Sequence, residues 1–275
     1  MIKSFLKKVT FGATVVGLSA GQVQAAVTQV EGQAGGGIVP WALIATGKPT
    51  GSFTWVDSGD YTLTSVAIQA GFMDKFEISY ALQTFDTKGV GLGKVDVDVF
   101  GAKVNLVSMS EGWPAISVGI QHKRTDISDG FLTAVGADDS GTDVYLAATK
   151  VFSVGSKKVL LNGTLRATKA NQIGILGFGS SSDDDYSYRP EITAGVFLTA
   201  ETVIGIEYRA KPDNINGLDE EAWADFWIAY FPSKSMSMTV AYADLGNIVH
   251  EANGTASDDV GKDQRGLYFQ VQGNF

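Results

Sequence analysis

The stretch Lys75-Phe76-Glu77-Ile78-Ser79-Tyr80-Ala81-Leu82-Gln83 alternates without a break: Phe76, Ile78, Tyr80 and Leu82 fall on one side, Lys75, Glu77, Ser79, Ala81 and Gln83 on the other. A period of two is strand period, because successive side chains of an extended backbone point to opposite faces. The pattern recurs as Ile116, Val118 and Ile120 against Ser117, Gln121 and Lys123, and as Val159, Leu161 and Leu165 against Asn162, Thr164 and Arg166. It returns over 191–198, 204–209 and 236–243. Two segments blur it. Val95, Val97 and Val99 share a face, but the apolar register passes to Val104 and Leu106 after Phe100-Gly101, which predicts a bulge there. Over 143–152, Tyr145 and Val151 stand opposite Leu146 and Phe152, and the inner face is ambiguous.

Alternation also suits a soluble sandwich, so the connections have to discriminate. Tight links lie near 232–234, 200–201, 154–156, 111–113 and 73–74, and between them fall long polar ones at 245–264, 211–221, 170–189, 125–142 and 85–94. Short links alternating with long ones are expected of an up-and-down antiparallel β-barrel in an outer membrane, with periplasmic turns and longer outer loops. The expected fold is therefore an all-β transmembrane barrel of about 12 strands, the first over 51–56. A hairpin of 26–32 with 39–45 would raise the count to about 14, also even as bacterial single-chain barrels require.

The N-terminus explains how such a chain would reach that membrane. Lys3, Lys7 and Lys8 precede a short apolar stretch over 9–20, and Val23-Gln24-Ala25 precedes Ala26. This predicts a secretory signal peptide over 1–25, cleaved between Ala25 and Ala26, with 26–275 as the barrel domain. The apolar stretch is too short to anchor as a spanning helix. The whole chain of 275 residues has no cysteine, 33 glycines and a net charge of -9. Those values exclude a disulfide scaffold, argue against a helix-rich fold, and make nucleic acid an unsuitable partner. The expected surroundings are outer-membrane lipid and lipopolysaccharide.

The last strand carries Leu267, Phe269, Val271, Gly273 and the terminal Phe275 on one face. An amphipathic strand ending in phenylalanine resembles the signal read by the barrel assembly machinery, with Phe275, Val271 and Phe269 as its elements. Tyr80, Tyr208, Tyr242, Trp113, Trp223, Trp227 and Phe275, near expected strand ends, are candidates for interfacial girdles.

Several blocks resemble one family. They are Gly35-Gly36-Gly37-Ile38-Val39-Pro40-Trp41-Ala42-Leu43-Ile44, Asp139-Ser140-Gly141-Thr142-Asp143, the run Leu161-Asn162-Gly163-Thr164-Leu165-Arg166 continuing to Gln172, Glu207-Tyr208-Arg209-Ala210-Lys211-Pro212-Asp213-Asn214, and Ala243-Asp244-Leu245-Gly246-Asn247-Ile248. The family is the uncharacterised proteobacterial domain of unknown function 3034. The resemblance implies a Gram-negative exported outer-membrane protein, and it brings no substrate and no catalytic residue.

Catalytic chemistry is poorly supplied. His122 shares the apolar face of its strand and His250 sits in a long loop, so neither has the carboxylate or amide support that a lipid-cleaving barrel needs. No cofactor or metal site is expected, since the acidic groups at 138–139, 183–185, 219–221 and 258–259 read as solvated loops without calcium-loop spacing. Lys88-Gly89-Val90-Gly91-Leu92-Gly93-Lys94 lacks phosphate-loop spacing and precedes a strand.

The polar faces are more informative. Lys75, Glu77, Asp96, Asp98, Lys103, Lys123, Arg166, Glu191, Glu207 and Arg209 would be costly against lipid and are expected to line the lumen. Arg166, Glu191, Glu207 and Arg209 belong to consecutive strands and fall in the outer half. They form either a mixed-charge constriction for small polar or charged solutes or a set of salt bridges closing the barrel. The first makes the protein a narrow passive channel. The second makes it a closed barrel with a structural or surface-binding role. The apolar patch at 173–178, inside a long loop, is a candidate to fold inward.

Overall fold

The computed structural model describes residues 27–45, 47–88, 92–248, 250–251 and 261–275. The signal peptide and its Ala25/Ala26 cleavage site lie outside them, as do residues 89–91 and 252–260. Twelve antiparallel strands form a closed barrel. In chain order they are β1 (Thr50–Asp57), β2 (Thr62–Phe72), β3 (Phe76–Asp86), β4 (Lys94–Val107), β5 (Ala115–Thr125), β6 (Ser140–Val154), β7 (Lys157–Thr168), β8 (Ser187–Phe197), β9 (Thr202–Arg209), β10 (Trp223–Ser233), β11 (Met236–Gly246) and β12 (Gln264–Asn274). Each pairs with its sequence neighbours, and β12 closes the wall against β1 through Leu267↔Asp57 to Asn274↔Thr50. Closure leaves no unpaired edge, the condition for sheet structure in lipid.

Periodicity translates into orientation. In β3, Ala81, Gln83 and Phe85 are buried while Ile78 and Leu82 are exposed on the outer surface, and in β12 Tyr268 and Gln270 point in while Leu267 and Phe269 point out. The ambiguous strand β6 resolves with Asp143, Tyr145, Ala147, Thr149 and Val151 inward, and Val144 and Leu146 outward. The link-length pattern holds less strictly than expected. The outer link between β1 and β2 spans only 58–61, and the periplasmic link at 108–114 is as long as the outer one at 87–93.

Five expectations are corrected. The segments 26–32 and 39–45 add no strands to the wall: residues 27–42 run inside the barrel, almost all of them buried, with Val27–Thr28 pairing only Ala34–Gly35. Their polar backbone finds partners on the inner wall, so the chain has no need of two further strands. Strand β4 has no bulge at Phe100-Gly101, because its register with β3 runs unbroken from Asp86↔Lys94 to Phe76↔Val104. What changes along β4 is polarity. Val95, Val97 and Val99 face inward and Asp96 and Asp98 outward, whereas farther down Gly101, Lys103 and Asn105 face inward and Phe100 and Leu106 outward. Asp96 and Asp98 therefore do not line the lumen. At the outer end of the wall an outward side chain meets headgroups and water, and there Asp96 accepts from Thr84 Oγ1 at 2.6 Å and Asp98 from Tyr80 Oη at 2.5 Å. Lys75 is likewise not luminal, since it sits exposed in the periplasmic turn between β2 and β3. Finally, Trp223 and Trp227 face inward and are buried, leaving Trp113, Tyr80, Tyr208, Tyr242 and Phe275 on the outer surface. The Trp227 ring packs against Gly205, where a Cβ would stand 2.4 Å from its Cζ2. Without that glycine the indole could not lie along the inner wall.

Candidate functional site: a charged lumen with a plug

Residues 27–45 contain one ionisable side chain, Glu31, in an otherwise apolar, glycine- and amide-rich segment. With no regular structure beyond a two-residue pairing, the segment must spend its backbone polar groups on the wall. Val30 O accepts from Ser65 Oγ at 2.7 Å and Gln83 Nε2 at 3.0 Å, and Thr28 O accepts from Gln270 Nε2 at 2.5 Å. Pro40 O accepts from Thr164 Oγ1 at 2.8 Å, Ala42 N–H donates to Thr149 Oγ1 at 2.7 Å, and Trp41 Nε1 donates to Thr193 Oγ1 at 3.0 Å. Tyr145 Oη donates to Gln33 at 2.8 Å. The plug is thus held by side chains of β2 to β9 and β12. At Gly36 a side chain would have to displace the Glu207 carboxylate, because a Cβ would fall 1.8 Å from its Oε1.

Two charged clusters stand in this interface. Toward the periplasmic end, Glu77 and Lys103 face each other across β3 and β4 with Nζ 3.1 Å from Oε1. The same carboxylate accepts from Ala34 N–H and Ala45 N–H, and the same ammonium donates to Ala34 O and Leu43 O at 2.9 Å. Toward the outer end, Lys123, Arg166 and Arg209 converge on Glu31 from β5, β7 and β9. An ammonium has three donors, and those of Lys123 go to Glu31 on the plug, Asp143 on the wall at 2.7 Å, and Ile173 O on an outer loop at 3.0 Å. Arg166 Nε is 2.5 Å from Glu191 Oε1, its Nη1 donates to Gln121 Oε1 and to Asp143 at 3.2 Å, and its guanidinium stacks 5.3 Å from the centre of the Tyr145 ring. Glu207 turns instead to the plug backbone, accepting from Ile38 N–H at 2.9 Å and from Thr193 Oγ1 at 2.7 Å.

The loop at 169–180 lies over this cluster from outside. Residues 171–180 are all buried, and Ile173, Ile175, Leu176 and Phe178 pack into the interior. Gln172 and Ile173 both adopt positive φ, at 45° and 59°, a costly conformation for a β-branched residue that persists only where surroundings over-determine it. The surroundings are visible. Thr125 Oγ1 donates to Ile175 O at 3.0 Å, Gln172 N–H donates to Glu220 Oε1 at 2.7 Å, and Lys211 Nζ donates to Gln172 Oε1 at 2.5 Å. Lys211 also lies 3.6 Å from Glu220 and 4.9 Å from the centre of the Trp223 ring. Burial outweighs this mutual attraction for both partners, pushing the Glu220 carboxyl up to about 7 and the Lys211 ammonium down to about 8.

Of the ten wall residues expected in the lumen, Arg166, Glu191, Glu207, Arg209, Glu77, Lys103 and Lys123 face it. The sequence reading passed over Glu31 and Asp143. Glu31 was detectable as the lone charge in its segment, and Asp143 through sharing parity with Tyr145, Ala147 and Thr149. His122 lies on the outer surface with Nδ1 3.0 Å from Thr142 Oγ1, and among the described residues no carboxylate is hydrogen-bonded to it. The side chain of His250 lies outside the described residues.

The model of the family described as Protein of unknown function (DUF3034) matches residues 24–272. The chain belongs to that family. No curated protein matches this family member. Among solved structures it is similar to the KdgM porin, at 11% identity and a TM-score of 0.53, covering 82% of this chain and 99% of that one. It is also similar to the NanC porin, at 8% identity and 0.49, covering 82% and 98%. Omp33 of Acinetobacter baumannii matches at 8% and 0.48, covering 83% and 98%. At such identities the likeness is one of fold, that of the porin-like outer-membrane β-barrels.

Proposed function

We propose that this family member is an outer-membrane channel for small polar or charged solutes, closed in this conformation by residues 27–45 within the lumen and 169–180 above it. The observation that carries the reading is the chemistry of the plug–wall interface. A permanently filled core is expected to be apolar or fully satisfied, because each unpaired buried polar group costs about 1–3 kcal/mol. Here the inner wall is lined with charges and amides, and the Gln29 side-chain amide, Gln33 Nε2 and Gln121 Nε2 are buried with no hydrogen-bond partner among the described residues. Such a wall suits water and solute better than it suits a peptide. Export through the signal peptide, assembly through the Phe275-terminated strand, and a setting of lipid and lipopolysaccharide complete the proposal. No catalytic residue is assigned.

A second reading, a closed barrel with a structural or surface-binding role, draws on the ion pairing of the lumen, where Lys103, Lys123, Arg166 and Arg209 all have carboxylate partners. Single-channel recording in planar bilayers separates the two. The channel reading expects voltage-dependent openings of the full mature chain and steady conductance of a chain beginning at residue 46. If both stay silent although each folds, the closed-barrel reading stands.

A further inference from the structure

We infer that the Glu31 carboxylate occupies the site of a transported solute, so that Lys123, Arg166 and Arg209 form a carboxylate-binding site and small carboxylate anions are the solute class. This rests on the channel reading above and specifies it. The first ground is geometric. Arg209 meets Glu31 with both terminal nitrogens, Nη1 at 2.7 Å from Oε2 and Nη2 at 3.0 Å from Oε1, the two-pronged contact by which a guanidinium recognises a planar carboxylate. Lys123 donates to the same group, and Arg166 Nη2 lies 3.6 Å away.

The second ground is charge balance. The wall sets three cations here against two carboxylates of its own, Asp143 and Glu191. One positive charge is left over, and the only acid of the plug neutralises it. The other charged pair, Glu77 with Lys103, balances its charge within the wall and meets only uncharged backbone groups of the plug. When residues 27–45 leave the lumen, the outer cluster keeps a net positive charge, a fork-shaped donor edge and a position on three non-adjacent strands around the passage. A carboxylate anion restores what Glu31 supplied, whereas a cation or an uncharged solute does not. Glu207, two residues before Arg209 on the same face of β9, and Asp225, opposite it on β10, form no ion pair with these three cations; Glu207 accepts instead from Ile38 N–H and Thr193 Oγ1, and both add acceptors for the donors of such a solute.

The test has two arms. In the first, Glu31→Ala protein is refolded with sodium formate or with sodium chloride at equal ionic strength, and urea unfolding is followed. Formate restoring most of the lost stability, and chloride little of it, supports the site. Equal effects of the two salts overturn it. In the second, reversal potentials are read across a potassium chloride gradient for the chain beginning at residue 46, with and without Arg209→Ala. Anion preference that falls in the variant, with acetate blocking the chloride current, supports the solute class. Cation preference overturns the class while leaving the channel standing. A silent but folded barrel overturns the channel reading, and formate rescue in that case still upholds the carboxylate site.

Discussion

Arg209, the last residue of β9, and Glu31, in the plug, are 178 residues apart and meet through a two-pronged ion pair inside the barrel. The pair sits in a larger cluster, since Lys123 and, at 3.6 Å, Arg166 also reach Glu31. Glu191 stands 3.6 Å from Arg209 Nε but is engaged more closely by Arg166, and Glu31 has no acid or base on its own segment to share charge with. Burying two charges costs several kcal/mol each, so a pair like this adds little net stability while intact, yet removing one partner strands the other.

Arg209→Ala is accordingly expected to destabilise the folded barrel by about 3–5 kcal/mol, the cost of breaking a buried pair, because Lys123 and Arg166 are then left facing three buried carboxylates, Glu31, Asp143 and Glu191. Arg209→Ala combined with Glu31→Gln should lose clearly less than the sum of the two single changes. Urea titrations of the four proteins in lipid vesicles measure the coupling. Strict additivity would contradict the contact.

The cap is expected to respond to pH in a two-sided way. Glu220, whose pKa is raised to about 7, favours the folded cap fully below the ordinary carboxylate range and loses that contribution as pH rises through 7. Lys211, depressed to about 8, contributes fully above the ordinary lysine range and loses its share as pH falls through 8. The cap should be loosest between pH 7 and 8, where both groups carry their buried charges. Hydrogen exchange of amides 171–178, corrected for intrinsic rates, reports this, and Glu220→Gln should flatten the limb between pH 5 and 7.

Packing of the inner wall predicts a contrast between two glycines. Gly205→Ala drives a Cβ to 2.4 Å from the Trp227 ring and should cost about 1–3 kcal/mol, the usual range for overpacking. Gly163→Ala faces outward with nothing within 4 Å and should be nearly neutral. Similar urea midpoints for the two variants would argue against the inward position of Trp227.

Depth within the membrane gives another contrast. Ile192 is the central residue of β8 and exposed to lipid, so Ile192→Arg should cost about 2–4 kcal/mol in a bilayer. Asp96→Asn, at the outer rim, should change folding in lipid by well under 1 kcal/mol. Equal costs would move Asp96 down into the hydrocarbon layer.

How far the sequence reading went can be judged on single strands. The alternation in β3, β5, β7 and β12 is local, because each outward side chain faces lipid and each inward one faces the lumen, and a two-residue period records that difference directly. Twelve strands and barrel closure followed from it. In β4 the same alternation misled, since inward and outward carry no fixed polarity. Val95 is buried against protein and Asp96 reaches headgroups, whereas a few residues farther along Phe100 meets hydrocarbon and Lys103 meets the plug. Which environment a strand face meets depends on height along the barrel axis, and height is a property of the assembled wall.

The plug marks the boundary more sharply. Strand positions, closure and the inward face of Arg166, Glu191 and Arg209 are written in the chain as periodicity. Residues 27–45 have none, because protein surrounds them on every side and no face is preferred. Their place inside the barrel comes from long-range pairings, Glu31 with Arg209 and Lys123, Pro40 with Thr164, Val30 with Ser65. Those partners come together only once the wall has closed around the segment. A charge that looks isolated along the chain becomes the centre of the lumen for that reason.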